Sequence, residues 1–165
     1  MGQQNVPLDC AKEDGGALTI CPGTNFDGHW QDEGGERILR ATLDELKSRG
    51  IRRVVVVVVF VFLAALSNGA AGASALVSRF ASSLQGLILI SGAPANGGTG
   101  GLPTLVMHGG HDTMASARTA RAFAERTHAT YTEFEGGHFV LLTRRQETRA
   151  ALVDWLTRQA GYRSR

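Results

Sequence analysis

Blocks of hydrophobic and polar positions along the chain predict β-strands that are followed by α-helices. The longest block is the apolar run of residues 54–66, which opens with six consecutive valines. Because valine favours strands, we predict a buried strand here. The residues that follow have helical spacing, with one apolar face formed by Ala70, Ala73, Leu76, Val77, Phe80 and Ala81.

Shorter apolar runs continue this alternation over the rest of the chain. They predict further strands at residues 17–21, 87–91, 104–108 and 130–135, and further helices at residues 34–49, 115–127 and 145–159. The last strand alternates between polar and apolar residues, which indicates a sheet edge. The predicted fold class is α/β, with a mostly parallel sheet of about five to six strands and helices on both faces.

Composition predicts one globular domain over residues 1–165, with an irregular segment at residues 1–16. Hydrophobic residues make up 43% of the sequence and charged residues 19%, which excludes a disordered chain. A net charge of +2 is too small to indicate a nucleic-acid partner. Cys10 and Cys21 could pair or remain thiols. The N-terminus lacks a signal-peptide pattern, so we expect a cytoplasmic protein.

A membrane span is the alternative interpretation of the apolar run. No charged residue occurs between Arg53 and Arg79, and that stretch is long enough to cross a bilayer. The valines favour a strand, however, and the second half is rich in Ser, Asn, Gly and Ala, which are weakly hydrophobic. We therefore expect no membrane span.

Ser67 follows the apolar run within the sequence Ala65-Leu66-Ser67-Asn68-Gly69. A strand, a tight turn that carries a serine and then a helix form the structural context of a nucleophile elbow. Small residues two positions before and after the serine let the strand and helix backbones approach closely. The alternative is that Ser67 only caps the helix.

Polar side chains also follow other predicted strands, at Thr24, Asp112 and His138. The carboxyl ends of parallel strands share one edge of the sheet, where ligands bind. An imidazole can take the proton of a serine hydroxyl, and a carboxylate can orient that imidazole. We predict Ser67 as nucleophile, His138 as general base and Asp112 as orienting residue, with the N–H groups of Thr24 and Asn68 as oxyanion donors.

Each of these side chains also has a simpler interpretation. Asp112 could cap the following helix near Ala115, and the Gly-Gly-His sequence that ends at His138 could be an ordinary loop. A metal site formed by His108, His111, Asp112 and His138 is also conceivable, but the spacing matches no standard ligand set. We interpret His108 as structural and assign no role to His111. The catalytic interpretation is favoured because the residues occur in the order Ser, Asp, His at separate strand ends.

Three segments resemble the α/β-hydrolases, particularly the small carboxylesterase and dienelactone-hydrolase-like groups. They are residues 65–69, the LVMHGGHD sequence that ends at Asp112, and the EGGH sequence that ends at His138. The resemblance implies a Ser-His-Asp hydrolase that needs no metal or organic cofactor, with a small-molecule ester as substrate.

The sequence departs from the family pattern at several positions. Pro22-Gly23 stands where the family often has His-Gly, so the oxyanion donor is Thr24 or Asn25. The first small residue of the elbow is Ala65 rather than Gly. The N-terminal antiparallel strands of the family have no counterpart, so we expect a minimal version of the fold or an excised core. A second copy of the chain could cover the exposed sheet edge.

The short connection at residues 93–103 leaves no room for a cap domain, so we expect an open site. Such a site suits short-chain esters or acyl groups presented from outside. Asn25, His29, Trp30 and Phe139 are the candidate pocket residues, although Trp30 and Phe139 could equally be packing residues. The predicted function is cleavage of carboxylic esters through an acyl-enzyme. The alternatives are a thioesterase or acyltransferase with the same site, and a catalytically silent scaffold.

Overall fold

The computed structural model describes residues 11–12, 18–19, 33–48 and 61–159. Strands and helices alternate over most of this range. The strands are β1 (Ala11–Lys12), β2 (Leu18–Thr19), β3 (Phe62–Leu66), β4 (Gly86–Ile90), β5 (Thr104–Gly109) and β6 (Thr130–Phe134). The helices are α1 (Glu33–Ser48), α2 (Asn68–Leu76), α3 (Ala117–Thr127), α4 (Val140–Thr143) and α5 (Arg145–Gln159).

Strands β3 to β6 form a parallel sheet in the order β3-β4-β5-β6. The register pairs Leu66 with Ile90 and Ile90 with Met107, so the carboxyl ends of the strands lie side by side. This arrangement confirms the predicted α/β class, here with four parallel strands in the described part of the chain. Strand β6 lies at the end of the order, as its alternating sequence predicts.

The interiors of β4 and β5 have apolar side chains on both faces of the sheet, because successive residues of a strand point to opposite sides. On one face, α1, α2 and α3 pack against side chains that include Leu87, Leu89 and Val106. On the other, α4 and α5 pack against side chains that include Ile88 and Met107. Helices on both faces are therefore confirmed.

Of the segment at residues 1–16, which is predicted to be irregular, the structure describes only Ala11–Lys12, which pairs antiparallel with Leu18–Thr19. One prediction about local structure is wrong. The helix after Ser67 ends at Leu76 and continues as 3₁₀ turns at Val77–Arg79 and Ala81–Ser83. Val77, in the first turn, and Phe80, between the two turns, are still buried, so the apolar face extends beyond the α-helix.

Within the described segments, no helix combines the length and apolar character that crossing a bilayer requires. Residues 62–66, which lie inside the stretch considered as a span, form strand β3. The early part of the valine run, the side chain of Leu46 and both cysteines lie outside the described residues.

Candidate active site

Ser67 occupies the single-residue turn between β3 and α2, with φ 54° and ψ −122°. Few residues with a side chain adopt a positive φ, so this backbone is strained. Hydrogen bonds hold it in place: the Ser67 N–H donates to the Ile90 carbonyl at 2.7 Å, and the Ser67 carbonyl accepts from the Ala70 N–H at 2.9 Å. The Ser67 side chain makes no capping bond to α2, so the structure does not support the simpler interpretation as a helix cap.

Gly92 lies directly behind the turn that carries Ser67. A Cβ atom at this position would be 2.1 Å from the carbonyl oxygen of Ser67, far inside van der Waals contact. The segment after β4 can therefore support the strained turn only because residue 92 has no side chain.

Asp112 lies in the turn between β5 and α3, and its side chain has no exposed surface. Its Oδ1 accepts hydrogen bonds from the N–H groups of Met114 and Ala115, at 2.8 and 2.9 Å. The helix cap of α3 is instead Ser116, whose hydroxyl accepts from the N–H of Thr119. Asp112 therefore closes the turn before the helix and keeps Oδ2 for another partner.

The surroundings of Asp112 act on its pKa in opposite directions. Burial alone raises the pKa, because it disfavours the charged form. Hydrogen bonds from the Ala115 N–H, from His138 and from the Met114 N–H outweigh burial, so the pKa lies below its ordinary value. Asp112 is therefore a carboxylate at neutral pH.

His138 follows β6 and is almost fully buried. Its Nδ1 lies 2.9 Å from Oδ2 of Asp112, and its Nε2 lies 2.8 Å from Oγ of Ser67. When Nδ1 carries the proton and donates it to the carboxylate, Nε2 accepts from the Ser67 hydroxyl. The structure thus joins three side chains from separate strand ends in one hydrogen-bonded row.

Solved structures share this arrangement of strands and helices, whereas no protein-family model and no curated protein matches the sequence. The chain has the α/β-hydrolase fold. A lidless α/β serine hydrolase from Xanthomonas campestris superposes with a TM-score of 0.61 at 22% identity, over 83% of this chain and 60% of that chain.

Two further structures with the α/β-hydrolase fold are an esterase and a lipase. A thermophilic esterase from Thermogutta terrifontis superposes with a TM-score of 0.63 at 14% identity, over 88% of this chain and 77% of that chain. A monoacylglycerol lipase from Paleococcus ferrophilus gives a TM-score of 0.58 at 15% identity, over 77% of this chain and 75% of that chain. The chain therefore matches only part of each of these hydrolases.

Two other residues considered in the sequence lie next to the row. Phe139 is 57% exposed, and its ring meets that of His138 edge-on, with the ring centroids 5.3 Å apart. His108 is fully buried, with Nε2 3.1 Å from the Ala115 carbonyl and 3.3 Å from Oδ2 of Asp112. The contact between His108 and Asp112 was not predicted from the sequence.

His111 is exposed to solvent, and its imidazole pairs with a residue outside the row. Its Nε2 lies 2.9 Å from a carboxylate oxygen of Glu135, and both side chains are more than two-thirds exposed. In the ranges that the structure describes, no three His, Cys, Asp or Glu side chains are placed to hold a metal ion.

The remaining predicted site residues divide into two groups. Asn68 is the first residue of α2, immediately after Ser67. Thr24, Asn25, His29 and Trp30 lie outside the described residues. The second oxyanion donor and most of the pocket therefore stay predictions.

Proposed function

We propose that the protein is a serine hydrolase that cleaves carboxylic esters through an acyl-enzyme intermediate. The observation that carries the proposal is the row from Ser67 Oγ through His138 to Asp112 Oδ2, with distances of 2.8 and 2.9 Å. These are hydrogen-bond distances at which a proton can pass from the hydroxyl to the imidazole.

In the proposed acylation step, Oγ of Ser67 attacks the ester carbonyl while Nε2 of His138 takes its proton. The imidazolium that forms is stabilised by Asp112, whose lowered pKa keeps it ionised. Nε2 then returns the proton to the departing alkoxide, and Ser67 carries the acyl group.

In the proposed deacylation step, water replaces the alcohol. Nε2 of His138 takes a proton from the water as it attacks the acyl carbonyl, and returns that proton to Oγ of Ser67 as the carboxylic acid leaves. In both steps the tetrahedral oxyanion would accept hydrogen bonds from the N–H of Asn68, at the start of α2, and from Thr24 or Asn25.

The ester class is supported by the neighbours and by the surface beside His138. The superposed proteins include an esterase, a monoacylglycerol lipase and an enol-lactonase from Burkholderia xenovorans, all of which by name act on esters. Exposed Phe139 offers an apolar contact for an acyl or alcohol group, with Asn25, His29 and Trp30 proposed as further pocket residues. A matched series of p-nitrophenyl esters and acyl thioesters would separate an esterase from a thioesterase.

Fluorophosphonate labelling, read by intact mass, tests the proposal. We expect one adduct on the wild-type protein, because the reagent reacts with an activated serine hydroxyl. Ser67→Ala should lose the adduct and lower kcat for ester hydrolysis by about 10⁴-fold or more, while it keeps the wild-type circular dichroism spectrum.

The matched control is Ser82→Ala, at an exposed serine outside the row. This variant should label and turn over like the wild type. An unlabelled wild-type protein that is folded would contradict the proposal and favour the silent scaffold. An adduct that persists in Ser67→Ala would show that another residue is the nucleophile.

A further inference from the structure

A second histidine contacts the carboxylate that orients His138. His108 is the fifth residue of β5, and its side chain is fully buried. Two acceptors lie near its Nε2: the Ala115 carbonyl oxygen at 3.1 Å and Oδ2 of Asp112 at 3.3 Å. Its Nδ1 is buried and has no hydrogen-bond partner in the part of the chain that the structure describes.

These neighbours determine which nitrogen of the His108 ring donates. Two acceptors beside Nε2 require a proton on that nitrogen. A proton on Nδ1 would instead leave an unpaired N–H in the interior, because no acceptor among the described residues faces that nitrogen. Nε2 is therefore the nitrogen of His108 that carries a proton and donates it.

We propose that His108 is a positioning residue that acts on the reaction through Asp112. Its Nε2–H is shared between the Ala115 carbonyl and Oδ2, so it joins the two ends of the turn that carries the carboxylate. With Oδ1 held by the N–H groups of Met114 and Ala115, both oxygens are fixed, and Oδ2 stays directed at Nδ1 of His138. The catalytic consequence rests on the function proposed above.

In the described part of the chain, a further charged group close to His108 is Glu133, and it is already paired. Glu133, on the neighbouring strand β6, is in register with His108. Its carboxylate accepts hydrogen bonds of 2.6 Å from both Arg121 and the Tyr131 hydroxyl. Asp112 and His138 are thus the ionisable partners whose interaction His108 modifies.

Loss of the His108 donor should alter the pH dependence of the reaction as well as its rate. Without the Nε2–H, Oδ2 of Asp112 becomes a stronger acceptor for His138, which favours the imidazolium form. In His108→Phe, we expect the acid limb of kcat/KM to move to higher pH by about half a unit to one unit. We also expect kcat to fall about tenfold with little change in KM, since His108 does not contact the substrate.

Two substitutions serve as comparisons. His108→Gln retains an N–H donor near the position of Nε2 and should recover most of the wild-type pH profile. His111→Gln makes the same chemical change at an exposed site beside Asp112 and should leave the profile unchanged. A purely structural role would lower the melting temperature of the His108 variants without moving the acid limb.

Histidine ¹⁵N NMR of the wild-type protein tests the inference without relying on turnover or on a variant that folds. We expect the His108 signals to show a proton on Nε2 and none on Nδ1 over the range in which His138 titrates. A proton on Nδ1, or titration of His108 in that range, would overturn the proposal. So would an unchanged His138 titration in a folded His108→Phe.

The two proposals can fail separately. If the wild-type protein neither labels nor hydrolyses esters but His138 titrates at higher pH in His108→Phe, the proposed function is wrong and the positioning of Asp112 stands. If the enzyme is active and all His108 variants share its pH profile, the function stands and His108 is a packing residue.

Discussion

At the scale of single residues, Asp112 makes two sets of hydrogen bonds, and both depend on the negative charge of its carboxylate. One oxygen closes the turn through the Met114 and Ala115 N–H groups, and the other receives Nδ1 of His138. Both interactions need the carboxylate form, because a protonated acid would lose acceptor capacity. Stability and the proposed chemistry are therefore linked through one ionisation.

We expect the stability of the protein to depend on pH through Asp112. Its folded pKa lies below its unfolded pKa, so its stabilising contribution is complete above the unfolded value of about 3.9 and is lost as the pH falls through the folded pKa. Urea unfolding between about pH 6 and pH 2 measures this loss, which Asp112→Asn should reduce.

The matched control is Asp154→Asn, at an exposed aspartate paired with Arg158. It should retain the wild-type dependence on pH. Asp112→Asn should also lower kcat by about 10³–10⁴-fold, because an amide does not hold His138 in the required tautomer. Wild-type activity in Asp112→Asn would exclude the orienting role.

At the scale of elements, the ends of β5 and β6 are in backbone contact where the site forms. A Cβ atom at Gly109 would lie 2.3 Å from the carbonyl oxygen of Gly137, the residue before His138. The backbone just before His138 therefore packs against the end of the strand that leads to Asp112. This close approach is possible because residue 109 has no side chain.

Gly109→Ala should displace the turn that precedes His138 and weaken its bond to Asp112. We expect a loss of about 1–3 kcal/mol in the free energy of unfolding and a strong decrease in fluorophosphonate labelling. Gly110→Ala is the control, because the nearest atoms to a Cβ there belong to the flexible Glu133 side chain, the closest at 3.1 Å. Equal labelling of both variants would refute this role of Gly109.

The sequence predicts those elements whose residues carry a strong local signal. The strands at 86–90 and 104–109 follow from continuous apolar runs that end at Gly or Pro. Helix α4, at 140–143, was not predicted, because four residues are too few to show a period. The 3₁₀ turns after Leu76 were missed for a related reason, since their apolar spacing resembles that of a helix.

The site was predictable to the extent that strand ends define it. Ser67, Asp112 and His138 follow separate strands, and the parallel sheet brings their side chains together. The contact between His108 and Asp112 could not be derived, because it depends on the path of the turn through Gly109 and Gly110. The number of residues between His108 and Asp112 does not determine the backbone conformation of that turn.

At the scale of the whole molecule, the parallel sheet separates two layers of buried apolar side chains, one on each of its faces. Trp155 of α5 is buried on the face opposite α2, and its ring meets that of Phe62 edge-on at 5.7 Å. Phe62 begins the strand that leads to Ser67. The layer on one side of the sheet therefore supports the strand that carries the nucleophile candidate.

Trp155→Ala should lower the free energy of unfolding by about 3–5 kcal/mol, because it leaves a large cavity against the sheet. In a thermal melt, we expect this variant to lose its ellipticity and its fluorophosphonate labelling at the same temperature, which should lie below the melting temperature of the wild type. Val153→Ala, at a half-exposed site on α5, should change stability by less than about 0.5 kcal/mol. Labelling that survives after the ellipticity is lost would show that the site does not depend on this layer.

The spacing of the row along the chain has a consequence for biosynthesis. Ser67 and His138 are 71 positions apart, so a ribosome releases the serine long before the imidazole that is proposed to activate it. Until β6 joins the sheet, Ser67 carries an ordinary hydroxyl with the low nucleophilicity of free serine. Under the proposed function, the growing chain does not attack esters, and its activity begins only after β6 has joined the sheet.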